Sequence, residues 1–389
     1  ETFGFSELLR KFYLLINFFI IIPFYLVAIP ICLIIRFISP WIIIRTIRLP
    51  AGNFGDFIIF TGIYYCKKKL KINQPKRKYV DLFYIRPNDK IYNKQLAKMW
   101  KRKLNFFSGY LLDPINRVGK FIPGWKIHEI SLFSSKPELD VDNLIEKYQA
   151  LDFTKEEEAY GKKMLRKFGL NDNDKFVCLA VRDSAYQLKK IPARYHDWSY
   201  HDFRNYNIDD FILASEELTR RGYFVFRMGV VVNKKINSKN KKIIDYANSD
   251  MRNDFMDVYL GARCFFCIST GLGFDEVPYI FRRPIALLSV PFGDLRSFSE
   301  KFLLLSRHHL LLKENRKLSL SEIFSHGVAY AYDTKIFKQK GIKLLDYTPG
   351  EIKDFVIEML ENLENNEELN NEEKKLQESF KNLFSTNVK

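Results

Sequence analysis

Arginines, hydroxyls and glycines that follow short apolar runs are the groups in this sequence best suited to gripping an anion. The run KFVCLAVR (175–182) is followed by Asp183, Ser184 and Tyr186. An arginine at such a position, Arg182, can hold a phosphate through two parallel hydrogen bonds. An Arg182–Asp183 surface pair or a local turn fits the same residues. A second stretch, CISTGLGFDEVP, places the hydroxyls of Ser269 and Thr270 ahead of Gly271 and Gly273. Glycines there permit a tight turn into a helix, whose first amide groups and dipole favour negative charge. Asp275 and Glu276 fall in the first turn of that helix, where they suit either a ribose or the helix's own amides.

Three further groups stand beside these. Arg227 ends the run YFVFR, and His201 and Arg204 lie in YHDFRNY. That last stretch reads equally as a substrate loop and as a loop held by its own hydrogen bonds. Near the start of the chain, GNFGD (52–56) supplies Asn53, Gly55 and Asp56. Asp56 is the carboxylate best placed to remove a proton from a hydroxyl, or else to cap the helix that follows. The Gly-rich loop with Lys of the P-loop enzymes is absent, and so is the dinucleotide fingerprint, which leaves ATPase and NAD readings without motif support.

The elements that must carry these residues alternate. Residues 41–49 predict a buried strand, 50–56 a Gly-rich loop, 57–69 a helix, 78–85 a strand and 90–103 a helix. Pro114, Pro123 and Gly124 predict an irregular region. Two polar helices, over 141–150 and 154–168, look like a connector, the second opening with the capping-box pattern TKEE. Beyond them, strands at 175–182, 223–229, 263–269 and 284–290 alternate with helices at 208–222, 254–262 and 273–283. That spacing implies a parallel sheet covered by helices on both faces, with ligands bound beyond the carboxyl ends of its strands. The tail after Glu361 is polar and expected to fray. Three parts result: a membrane anchor (1–40), an N-terminal α/β domain (41–170) and a C-terminal α/β domain (171–389).

The chain has 389 residues, 47% of them hydrophobic, and a formal charge of +16. That is enough apolar content for a core in each half, and it favours anionic partners. Residues 12–35 carry no charge and are long enough to cross a bilayer as a helix. Pro23 and Pro30 would bend it, so a kinked span and a re-entrant or in-plane anchor both fit. The stretch is too long for a signal peptide. Cations follow it (Arg36, Arg45, Arg48, KKKLK, KRK), so membrane lipid is an expected partner, and the positive-inside rule puts the larger region on the cytoplasmic side of the inner membrane. Nucleic acid is not expected, because the cations crowd next to the apolar segment and no binding motif accompanies them. Of five cysteines, Cys264 and Cys267 form a C-x-x-C without a second ligand pair, so a metal site is not expected.

Taken together, VCLAVRDSAY, DWSYHDFRNYNIDDF, RGYFVFRMGVVVNK and DYANSDMRNDFMDVYLGARCFFCISTGLGFDEVPYIFRRP resemble a family of bacterial glycosyltransferases of surface-polysaccharide and glycan assembly. The resemblance covers about residues 175–291 well and the first half loosely. More distantly, the layout is similar to the GT-B fucosyltransferases and heptosyltransferases. It implies an α/β, GT-B-like fold, with two Rossmann-type domains facing a cleft. It also implies a nucleotide-sugar donor, a glycan or lipid-linked acceptor, no cofactor and an inverting, metal-independent displacement. By position, Arg182 and the Ser269–Gly271 turn fall to the donor diphosphate. Ala180 stands where the fucosyltransferases commonly have His, which argues against GDP-fucose. A non-catalytic membrane scaffold on a degenerate sugar-nucleotide fold is the alternative.

Overall fold

The structure is a computed structural model that describes residues 12, 22–132, 140, 143–190, 196–288, 292, 295, 297–365 and 369–387. Contacts divide the chain into two units, residues 1–135 and 136–389. Much of the apolar segment 12–35 lies outside the described residues. The rest belongs to α1, helical over residues 22–38.

In the first unit, strands β1 (Ile43–Arg48), β2 (Tyr79–Tyr84) and β3 (Glu129–Ile130) form a parallel sheet in the order β2-β1-β3. Helix α2 (Phe54–Lys69) buries Phe57, Ile59 and Ile63, and α3 (Lys94–Lys103) buries Leu96, Met99 and Trp100. The Asn93 side chain caps α3 by accepting from the Leu96 amide at 2.7 Å. The irregular region expected around Pro114 is instead helix α4 (Gly109–Gly119), with the proline inside it. Burial of Leu112 and Ile115 against Tyr84, Cys32 and Trp125 outweighs the hydrogen bond the proline removes.

Arg45, counted among the cations facing lipid, points inward instead. It lies opposite Asp81 on the neighbouring strand, and its Nε donates to Asp81 Oδ1 at 2.7 Å. Tyr64 and Lys68 donate to the other oxygen at 3.0 and 2.5 Å. A buried carboxylate needs such company. Arg48 is likewise engaged, with Asp89 at 2.8 Å.

The second unit opens with α5 (Leu144–Lys147) and α6 (Lys155–Lys167), then β4 (Phe176–Ala180), α7 (Ala185–Lys190) and α8 (Ile212–Arg220). Next come β5 (Phe224–Arg227), β6 (Ile243–Ile244), α9 (Asp254–Arg263), β7 (Cys267–Ser269), α10 (Glu276–Ile280), β8 (Ile285–Leu288) and β9 (Phe302–Leu305). Strands β10 (His308–Leu311) and β11 (Arg316–Lys317), helices α11 (Leu320–Ser325) and α12 (Thr334–Gln339), and strand β12 (Ile342–Leu345) follow. Helices α13 (Pro349–Asn365) and α14 (Asn371–Asn387) end the described chain.

Six strands form one parallel sheet in the order β6-β5-β4-β7-β8-β9, so a mixed α/β fold with parallel sheets is what the chain adopts. All five residues of β4 are buried, as expected of a central parallel strand covered on both faces. Helices α8 and α13 lie over one face, giving Leu218, Ile352, Phe355 and Val356 to the core.

Helices α5 and α6, expected as a connector, are packed within this unit. The Glu158 carboxylate accepts from Tyr259 and Arg263, and the Tyr279 hydroxyl donates to Asp140 at 2.7 Å. The capping box at Thr154 and Glu157 forms as its pattern predicts. The tail is more ordered than its polarity suggests, because Phe384 on α14 is buried against Phe292 and Phe324.

Candidate functional site

Strands β4 and β7 are neighbours, with Ala180 opposite Ser269 at their carboxyl ends. The Thr270 amide donates to the Ala180 carbonyl at 3.1 Å. In return, the Arg182 amide donates to the Thr270 hydroxyl at 2.8 Å. Thus Arg182 is fixed against the Ser269–Gly271 turn, although 88 positions separate it from Thr270. A third segment joins them: Arg204 Nη2 donates to the Gly271 carbonyl at 3.1 Å, and the Tyr206 amide to the Arg182 carbonyl at 3.0 Å. Gly271 has φ +82°, a left-handed conformation that only glycine adopts without strain. Two guanidinium-bearing residues and one backbone turn therefore meet at the carboxyl edge of the sheet.

The helix expected to begin at Gly273 begins at Glu276 and has five residues, with a turn over 273–275 ahead of it. Two of the amides expected to face an anion are spent inside the turn. Gly271 donates to Ser269 Oγ at 3.0 Å and Leu272 to Asp275 Oδ2 at 2.9 Å. Among the described contacts, the cationic group placed on this turn is the Arg204 guanidinium, while Arg182 is tied to it through its backbone. Asp275, at the N-cap of α10, makes no side-chain cap to that helix and instead clasps the turn through the Leu272 amide. Burial pushes its carboxyl up to about 7, against the pull of the Ser269 hydroxyl, the Leu272 amide and, last, the Arg204 charge. Glu276 is buried at the start of α10.

The other residues singled out in this unit fall in three places. Asp183 turns the chain, accepting from the Ala185 and Asn233 amides at 2.9 Å each, rather than pairing with Arg182. Tyr186 lies on α7, none of whose residues is buried. Arg227, at the end of β5, is 1% exposed and paired with Asp245 at 3.2 Å. It lines a cavity of about 180 Å³ with Asp183, Tyr206 and Asn233, beside the end of β4.

His201 belongs to a 3-10 turn, Ser199–Arg204, that also carries an aromatic group the sequence reading missed. The rings of Trp198 and Tyr200 lie within 17° of parallel, and Tyr200 and His201 are 4.0 Å apart between centroids. Thr334 on α12 pins this turn through the Ser199 and Tyr200 carbonyls, each at 3.0 Å. The density of aromatic residues in HDWSYH was the available signal.

Asn53, Gly55 and Asp56 open α2 in the first unit. The N-cap is Asn53, and Asp56 is the third helical residue, accepting from Asn53 Nδ2 at 3.0 Å. The capping alternative for Asp56 is therefore not what forms.

Among the described residues, no group of three or more His, Cys, Asp or Glu is arranged to hold a metal ion. All five cysteines are buried thiols, and burial pushes those of Cys178 and Cys267 well up.

No protein-family model matches the chain, and neither does any curated protein sequence. Solved structures it is similar to include glycosyltransferases. A glycosyl transferase family 9 protein from Veillonella parvula is 14% identical, with a TM-score of 0.45 over 82% of this chain and 96% of its own. ADP-heptose lipopolysaccharide heptosyltransferase II from E. coli is 13% identical, with a TM-score of 0.43 over 83% of this chain and 100% of its own. At that depth of overlap the likeness stands as resemblance alone. Among the described residues, no helix is long and apolar enough to cross a membrane.

Proposed function

We propose that the chain is a glycosyltransferase that moves a sugar from a nucleotide-sugar donor to a glycan or lipid-linked acceptor. The observation that carries this reading is the meeting of Arg182, Arg204 and the Ser269–Gly271 turn at the carboxyl edge of a parallel sheet. Ligands of open α/β sheets bind at that edge, and two arginines there suit a diphosphate.

The reaction is an inverting displacement without a metal. An acceptor hydroxyl oxygen attacks the anomeric carbon and gives its proton to Asp56. The bond from that carbon to the diphosphate oxygen breaks, and its electron pair leaves with the nucleoside diphosphate. Arg182 and Arg204 stabilise the charge that develops on the leaving group, where electrostatic help is most effective. Asn53 and Gly55 flank the base. The small cavity at Arg227 and Asp183, and the Trp198–Tyr200–His201 turn, are surfaces for the rest of the donor and for sugar rings. On this reading the reaction takes place on the cytoplasmic side of the inner membrane, where sugar nucleotides are made.

The test is a thermal-shift screen of the full chain with UDP-, GDP-, CMP-, ADP- and dTDP-sugars. Stabilisation by at least one, lost in Arg182→Ala, supports the reading. No shift with any of them favours a scaffold that has lost its donor.

A further inference from the structure

We infer that the first unit docks in the plane of an anionic membrane surface, through the outward side of α1 and the adjoining turn at Phe121, without crossing the bilayer. This does not rest on the sugar-transfer reading.

One side of α1 is committed to the body of the unit. Ala28, Cys32 and Ile35 are buried with Tyr84, Leu112, Ile115 and Trp125, and the Cys32 thiol donates to the Ile115 carbonyl at 3.3 Å. The other side is equally apolar and faces outward: Leu26, Val27, Ile29, Leu33, Ile34 and Phe37 are all exposed. Phe37 is 74% exposed and its ring lies 6.0 Å from that of Trp41, which is 68% exposed. Beside this end of the helix, Phe121 stands out at 89% exposure. Its turn is fastened to α1, because Arg36 Nε donates to the Pro123 carbonyl at 3.0 Å. A Cβ on Gly124 would meet the Arg36 guanidinium at 2.4 Å, so the seating is close. A helix apolar all round is ordinarily buried all round, and a contiguous apolar surface of this kind marks an interaction site.

The charges around it select the occupant. No Asp or Glu occurs between Glu7 and Asp56. The segment 114–128, which packs against α1, contains Arg117, Lys120 and Lys126; Arg117 and Lys120 pair with Asp113 and Glu129 just outside it, each at 2.9 Å, and Lys126 is exposed. An apolar strip with aromatic rings at its end and cations beside it suits acyl chains below anionic headgroups. A second copy of the chain would set the same cations against each other in a two-fold interface. The fixed inward side of α1 holds the helix along the protein body, which is the geometry of a helix lying on a membrane.

The experiment is co-sedimentation of the full chain with phosphatidylcholine vesicles, with and without phosphatidylglycerol. Leu26→Glu/Leu33→Glu/Phe37→Glu is expected to weaken vesicle binding about tenfold or more while melting temperature and sedimentation coefficient hold. Phe121→Glu alone, at a side chain too exposed to matter to folding, should weaken it in the same direction. Lys120→Gln/Lys126→Gln should weaken binding only to vesicles that contain phosphatidylglycerol. Binding left intact by both apolar variants would overturn the proposal. So would a lipid-free dimer of the wild type that the triple variant converts to monomer.

Discussion

The backbone amide of Arg182 donates to the side-chain hydroxyl of Thr270 at 2.8 Å, while the amide of Thr270 donates to the carbonyl of Ala180 at 3.1 Å. The chain leaving β4 and the chain leaving β7 are thereby stitched together just where the sheet ends. Replacing Thr270 by Val keeps the shape and removes one acceptor. An amide left without its partner costs about 1–3 kcal/mol, so Thr270→Val should lower unfolding free energy by that order in denaturant titration. Arg182→Ala leaves the amide in place. It should cut sugar transfer by about 10²–10³-fold, the order seen when one charge-stabilising donor is removed, with circular dichroism unchanged. Near-normal turnover in that variant would take Arg182 out of the mechanism.

Asp56 separates chemistry from donor binding. Asp56→Asn retains an acceptor for the Asn53 side chain and so spares the start of α2. Loss of a general base lowers turnover by about 10²–10⁴-fold. The donor-induced thermal shift should stay at the wild-type value. A variant that loses the shift as well would show that Asp56 holds the donor instead.

Asp275 gives the turn a pH dependence. Burial raises its carboxyl from an ordinary value of 3.8 to about 7, so the folded chain keeps this proton longer than the unfolded chain does. Stability therefore falls as pH rises from about 4 to about 7. Asp257, raised to about 6 chiefly by burial, acts in the same direction over the lower part of that window. Asp275→Asn should flatten the profile of melting temperature against pH there. An anionic donor next to Asp275 favours its protonated form, so donor affinity should also weaken as pH rises through about 7, and the variant should lose that trend. Parallel pH profiles for variant and wild type would exclude Asp275 from both effects.

The Asp81 hub is a stability prediction independent of function. Its buried carboxylate is shared by Arg45, Tyr64 and Lys68. Asp81→Ala strands the Arg45 charge in the core of the sheet and should cost about 3–5 kcal/mol. The double variant Arg45→Met/Asp81→Leu should lose less than the two single changes added together, because the buried Arg45 charge goes with its partner and the Lys68 ammonium that remains is partly exposed. Additive losses would mean that the pair is not coupled.

The sheet was legible where strands are short, apolar and spaced by amphipathic helices. The runs at 175–182, 223–229, 263–269 and 284–290 each contain a strand, and Arg182, Arg227 and Ser269 lie at or just beyond strand ends. Convergence of Arg182 with the 269–271 turn also followed from pattern, since two parallel neighbours end side by side. What could not be read was how donors are spent. Whether the Gly271 amide faces a ligand or the Ser269 hydroxyl depends on φ angles that no periodicity reports. Pro114 misled for a related reason, because burial of Leu112 and Ile115 decides the helix from outside the segment. Arg45 looked like a surface cation until its register partner proved to be Asp81. The Trp198–Tyr200 pair was passed over because aromatic residues are dense throughout the chain.

The contacts of α6 bear on where the polypeptide can be cut. Phe153, just ahead of α6, stacks within 12° of parallel on Phe281 and edge-on against Tyr259, while Glu158 ties down Tyr259 and Arg263. A fragment that starts at Asn171 would strip the cover from those rings and offer a sticky apolar face to other molecules. One that starts ahead of Asp140 keeps that cover and is the piece to express for crystallisation.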